Sequence, residues 1–392
     1  MTTAVQPMRV RAIDAFRGLN MLLMVFVNQL AGVSGVPPWA KHMKADADAM
    51  SFVDVVFPAF LFITGMAIPF ALAQRAARGD DGAALQRHVL ARTLGLLVLG
   101  LFMVNAEEGF NPAFMRWNIG AWQLAFYACA FLVWGVYGSA RPGGRDGWRA
   151  VGVLGLLVVA DAYRGGADGS AWMTHQWWGI LGLIGWSYLI TATVFLAARG
   201  RLAWLLAATA ACVGYYAAAH AVPTGSKAWW AEFLDEPGLV CETSLTLLGA
   251  ATSLVFFAPG ARRPFARAAA LALALVVAGA LLRPAYTISK IYGSPTWCLY
   301  SAAICIVLFA ALHWLVDLRG RAGWVVVVRP MAAHPLVAYL IPFVIVAAMD
   351  AMHVGLPAIL DEGAVGVAFS VFVAFLVLGL TAIVTRRVRL QL

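Results

Sequence analysis

From residue 12 to residue 384 the chain repeats one pattern, an apolar run of about twenty residues followed by a short polar connection. As a helix, each run can cross roughly 30 Å of hydrocarbon, where a chain must satisfy its backbone polar groups within itself. The runs lie at 12–34, 53–74, 87–104, 119–138, 148–163 and 177–198 in the first half, and at 201–219, 239–258, 267–283, 296–316, 333–350 and 364–384 in the second. The expected fold is all-α: a polytopic membrane helix bundle of about twelve transmembrane helices, within a range of 10 to 12, forming a single domain over residues 1–392. No connection is long enough to hold a separate soluble domain. The first run is too long for a cleaved signal peptide and is expected to remain as the first helix.

With 62% hydrophobic and only 12% charged residues, the chain lacks the polar surface of a water-soluble protein. Its net charge of +9 invites a nucleic-acid reading. The arginines, however, sit in short clusters between apolar runs, without a basic stripe or an aromatic platform, so no nucleic acid is expected. Topology accounts for them. Arg9, Arg11, Arg17, Arg75, Arg78, Arg87, Arg92, Arg199, Arg201, Arg262, Arg263, Arg386 and Arg387 flank one set of connections, whereas the other set holds only Lys41, Lys44, Arg116, Arg164, Lys227, Arg283 and Lys290. The positive-inside rule makes the first set cytoplasmic. Both termini are then cytoplasmic, with connections 35–52, 105–118, 220–238 and 284–295 outside. The five cysteines form no CxxC or Cys/His pattern, so they are read as packing residues and no metal is expected.

Polar groups inside or at the mouths of apolar runs are costly, which makes them candidates for function. In the first run, Arg17 and Asn28 lie eleven residues apart, on one helical face and about 16 Å apart along the axis, with Asp14 and Gly18 on the same side. That stripe suggests a lined channel. The first outer connection places His42 between two lysines, with Asp54 opening the next run. An imidazole titrates near neutral pH and suits nucleophilic or base work, and Asp54 is placed to orient it. Glu107, Glu108, Arg116 and Glu242 can each bond to sugar hydroxyls, but are read first as solvated loop ends. Trp177, Trp178, Trp229 and Trp230 are read as an interfacial belt that can also stack on a sugar.

The segments "RVRAIDAFRGLNMLLMVFVN" and "KHMKADADAMSFVDVVFPAFLFITG" resemble the transmembrane acyltransferases typified by heparan-alpha-glucosaminide N-acetyltransferase. Residues 9–65 carry the dense part of the likeness, and weaker matches follow around Gln123, Trp177, Lys290 and Pro330. The resemblance implies transfer of an acetyl group from cytosolic acetyl-CoA, the acyl donor, to an amino sugar or glycan on the far side of the membrane. It maps the catalytic histidine to His42 and the helix-end asparagine to Asn28, with Asp54 as the third catalytic candidate. Arg17, then Arg11, are expected to hold the donor's phosphates, with Gln123 lining the interior. Lys290 and Trp177 are assigned to the acceptor side. Leu124 stands where the family has Arg, His334 replaces an Asn, and the His42 connection is longer.

These departures favour a bacterial cell-envelope glycan or lipid-linked sugar as acceptor and the bacterial inner membrane as location. Expected partners are acetyl-CoA, the sugar acceptor and membrane lipid, with a homodimer as the assembly to consider. The rival reading is a twelve-helix secondary transporter of a small polar or sugar-like solute, since Pro69 and Pro342 lie inside apolar runs.

Overall fold

The computed structural model describes residues 9–136, 144–221 and 236–390. Lys227, Trp229 and Trp230 lie outside the described residues. Among those described, thirteen α-helices carry the architecture: α1 (Arg11–Ala31), α2 (Val53–Ala76), α3 (Gly82–Glu107), α4 (Ile119–Trp134), α5 (Gly144–Asp161), α6 (Gly179–Ala197), α7 (Leu202–His220), α8 (Pro237–Phe257), α9 (Pro264–Leu282), α10 (Pro295–Leu312), α11 (Val325–Ala333), α12 (Pro335–Ala351) and α13 (Gly363–Val384). Local chemistry sets many of the boundaries. Proline fills the first helical position of α8, α9, α10 and α12, where its missing N–H costs nothing. The Asp81, Asn118 and Ser294 side chains cap α3, α4 and α10 by accepting backbone N–H groups two or three residues into the helix.

Each expected apolar run coincides with a helix. Eight of the helices are long and apolar enough to cross a bilayer unaided, and the bent pair α11–α12 makes up to nine. The remaining three runs are helical, but α4 is only 16 residues long, and α1 and α5 carry charges within their first two turns. The chain is therefore an integral, multi-pass helical membrane protein in which apolarity alone supports fewer than the expected twelve crossings.

The break between α11 and α12 is an unexpected feature. The two helices meet at 79°, and His334 at the junction has φ −133° and ψ 58°. Pro335 forces this, since the ring of a proline pushes its predecessor out of the helical region. α11 itself occupies a stretch that reads as a connection.

The centre of the bundle is α8. Every residue from Cys241 to Phe256 is buried, with α2, α6, α7 and α10 packed around it. Lipid tails offer no less apolar a setting than leucine does, so helices in a membrane associate by close fit and small residues. The α2–α8 crossing shows this at two points. A Cβ at Gly65 would fall on the backbone carbonyl of Thr246, and one at Gly249 would fall on that of Phe62.

The connections separate into two ends. At one end, Ser34 N–H donates to Asp361 O at 2.8 Å, Asn111 N–H donates to Arg164 O at 2.9 Å, and Arg283 pairs with Asp48 at 3.1 Å. At the other, Ala12 N–H meets the Asp317 carboxylate at 3.3 Å, and Val136 N–H donates to Arg389 O at 2.8 Å. Among the described residues, the expected outer connections 35–52, 105–118 and 284–295 meet at one cavity through His42, Glu108 and Lys290, and most of connection 220–238 lies outside the described residues.

Replacing Gly65 by Val should drive α2 off α8 and destabilise the bundle by at least about 1–3 kcal/mol, as overpacking does. Gly214, with no atom within 4 Å of an added Cβ, serves as the control. Thermal melts of purified protein in detergent should show Gly65→Val well below wild type and Gly214→Ala at or above it.

Candidate active site

Asp54 sits in the first turn of α2 and is 1% exposed. Its Oδ2 accepts from Ser51 N–H at 2.9 Å and Met43 N–H at 3.3 Å, and lies 3.2 Å from the Ser51 hydroxyl oxygen. Its Oδ1 lies 2.7 Å from His42 Nδ1. An ionised carboxylate offers only acceptors, so Nδ1 carries the proton and, in the neutral ring, Nε2 carries the lone pair. This is the arrangement by which a carboxylate fixes the tautomer of a reactive histidine. The Ser51 hydroxyl also donates to Lys41 O at 2.8 Å, tying the connection to the start of α2.

The free edge of the ring faces inward. His42 Nε2 lies 3.3 Å from Lys290 Nζ, and both side chains line a cavity of about 700 Å³ together with Asn28, Trp177, Glu108 and Glu242. The His42 side chain is 35% exposed, enough for a substrate to reach it. Burial pulls the Lys290 ammonium below the ordinary lysine range, against the opposing pull of Asp54 and Glu242. A proton on Lys290 is therefore more easily given up than on a surface lysine.

A second cavity, of about 280 Å³, adjoins the first. It is lined by Arg17 of α1 and Arg92 of α3, and Met24 and Ile180 border both cavities. Arg17 donates to Ala332 O at 3.4 Å and lies 3.7 Å from Asp14, whose other oxygen is held by Arg9 at 2.7 Å. The Arg92 guanidinium lies 4.9 Å from the Tyr188 ring centroid, and its buried Nε has no hydrogen-bond partner. Two guanidinium groups with unused donors on one apolar-walled cavity make a place for an anionic group.

Of the residues singled out in the sequence, His42, Asn28, Asp54, Lys290 and Trp177 converge at the larger cavity or its wall, and Arg17 lines the smaller one. Arg11 is exposed at the start of α1 and borders neither. Gln123 does not line them either: its amide donates to Ala106 O at the end of α3, at 3.5 Å, and α4 packs chiefly against α5 and α12. Glu242 departs from its reading as a solvated loop end. α8 begins at Pro237, so Glu242 lies one turn inside it, 7% exposed and facing the cavity. Arg92, counted in the sequence only toward topology, is the other site residue that the pattern did not single out. Its position ten residues into an apolar helix, past the reach of the helix end, is the signal that marks it.

Fold and site together describe a multi-pass helical membrane protein with a histidine–carboxylate pair at one end of a divided internal cavity. Residues 9–141 match a family model described as a domain of unknown function, DUF5009. The chain is 33% identical over 112 residues to heparan-alpha-glucosaminide N-acetyltransferase of Homo sapiens, and 33% identical over 110 residues to that of Mus musculus. These stretches amount to 29% and 28% of this chain and to 16% of either relative. The relationship is distant, and the chain spans a minor part of its relatives' length.

The His42 connection is held from outside by a clamp. Asp48, with φ 43°, takes the Arg283 Nε at 3.1 Å on both carboxylate oxygens and Ile288 N–H at 2.9 Å. The Arg283 hydrogen bonds keep the Asp48 carboxyl below its usual range. Its contribution is present above the carboxyl's unfolded pKa and is lost only as the pH falls through its lower folded value. Arg283→Ala should therefore speed amide hydrogen exchange across residues 43–50 at neutral pH while leaving α2 protected. Wild type should loosen the same segment only in acid.

Proposed function

We propose that this chain is a transmembrane acetyltransferase that takes an acetyl group from acetyl-CoA and passes it through His42 to an acceptor sugar on the opposite side of the membrane. The observation that carries the reading is the pairing of His42 Nε2, oriented by Asp54, with a second cavity that holds Arg17 and Arg92 and shares Met24 and Ile180 with the first. Anionic phosphates suit the two arginines, and an uncharged arm suits the apolar collar. The reacting end then arrives beside His42 and Lys290.

In this reading Nε2 acts as nucleophile toward the thioester carbonyl or as base toward the acceptor, and Asp54 stabilises the imidazolium that either step creates. The amide of Asn28 offers its N–H to the oxyanion. Lys290, beside Nε2, gives its proton to the departing thiolate. Trp177 offers a face to a sugar ring. The arginine end is cytoplasmic, the His42 end is outside, and a cell-envelope glycan or lipid-linked sugar of a bacterial inner membrane is the acceptor class. Residues 1–392 act as one domain.

The 79° break at His334 favours a different reading, secondary transport, because discontinuous helices build many transporter sites. Substrate-dependent uptake into liposomes without CoA would select it.

Purified protein should bind acetyl-CoA and release thiol when given amino sugars, and His42→Ala should abolish that release while acetyl-CoA binding persists. Unchanged transfer by the mutant sinks the assignment. Arg17→Gln and Arg92→Gln should each weaken acetyl-CoA binding about tenfold or more, the scale of a lost charge-assisted hydrogen bond. A cysteine introduced at residue 42 should react with impermeant reagents from outside, and labelling from the cytoplasm alone would reverse the orientation.

A further inference from the structure

Glu242 is the buried polar residue on the wall of the larger cavity for which the steps above have no use, whereas Glu108 and Tyr292 on the same wall are exposed. Its side chain is more than nine-tenths buried, its Oε2 has no hydrogen-bond partner, and it lines the same wall as His42 and Lys290. An orphaned carboxylate oxygen in a buried site carries a desolvation cost that no hydrogen bond offsets. Asp54, the other buried carboxylate there, has every oxygen engaged. The two acids of the site therefore divide: one is saturated and structural, and one is open toward the space a substrate would fill. Lys290 lies on the same wall, and Glu242 is one of the two acids that act on it.

We propose that Glu242 binds the acceptor's N–H or O–H and takes up its proton during acetyl transfer. The proposal rests on the acetyltransferase reading above. As the acceptor nitrogen or oxygen bonds to the acetyl carbon, the carbon's bond to sulfur, or to His42 Nε2 if the acetyl group rests there first, breaks. The acceptor's proton goes to Glu242. The thiolate takes its proton from Lys290, and the Glu242 carboxyl then returns one to Lys290, which restores both groups. The sum is a thioester plus an amine or alcohol giving a thiol plus an amide or ester, without any other reactant. His42 Nε2 is left free to deal with the acyl carbon alone.

The test compares full-length wild type, Glu242→Gln, Glu242→Asp and His42→Ala, with glucosamine as the amine probe and N-acetylglucosamine as the hydroxyl probe. Acetyl-CoA binding is followed by thermal shift, and transfer by product mass. Glu242→Gln should keep the acetyl-CoA shift and lose about a hundredfold or more in kcat/KM for the acceptor, the scale of a lost general base. Glu242→Asp should recover part of that loss. Transfer by Glu242→Gln within threefold of wild type overturns the proposal while leaving the His42 assignment intact if His42→Ala remains dead. Absence of transfer by wild type to either probe overturns both. As a check that needs no mutant to fold, dicyclohexylcarbodiimide should modify Glu242 in wild type, and the preferred acceptor should slow that modification. Modification at an unchanged rate counts against acceptor contact.

Discussion

The α2–α8 crossing is the constraint from which the site follows. With no hydrophobic drive to hold helices together in lipid, backbone approach at Gly65 and Gly249 replaces it, and this fit tolerates no added side chain. Both helices begin at the His42 cavity, so each projects its N-terminal turns beyond the crossing. Asp54 stands eleven residues before Gly65 and Glu242 seven before Gly249, or about 16 and 10 Å along their axes. Two carboxylates with different fates are thereby placed at one cavity. A shift of either helix by one turn would move its acid by about 5 Å, more than a hydrogen bond can absorb.

The histidine, by contrast, comes from a connection and must be brought to rigid elements from three directions. Asp54 holds its ring, Ser51 ties Lys41 to the head of α2, and the Asp48–Arg283 pair anchors the connection to the end of α9. The same α9–α10 connection carries Lys290 to Nε2. A reactive group in a loop gains access to substrate at the expense of position, and these ties restore the position.

The sequence made the helices legible because a membrane span is a one-dimensional property, read from length and apolarity alone. It also made the His42–Asp54 pair legible, since a connection returns the two to the same end. Glu242 and Arg92 belong to a different kind of information. Which side of an apolar helix faces a cavity depends on neighbours from distant parts of the chain, and α8, apolar and buried all round, gives no periodic hint of it. Gln123 fails for the same reason in reverse: it looks like an interior polar group, and α4 turns it against the end of α3 instead. The α11–α12 break was not read from the sequence: Pro335 lies in the run 333–350, but a proline inside an apolar run signals a kink without giving its angle.

The collar of Met24 and Ile180 bears on which of the two functional readings fits the whole cavity. A polar solute moving between the two cavities would meet Met24 and Ile180 at their common border, both apolar, and shedding hydration or carrying charge there is costly. A thioester at the end of an uncharged arm has no such need. In the proposed reading its phosphates stay with Arg17 and Arg92 while only the neutral acyl end passes an unbranched, adaptable methionine. Charge at both ends with an apolar neck between them is poorly suited to moving an ion and well suited to moving an acetyl group. The division of the cavity, more than its size, is what favours transfer over transport.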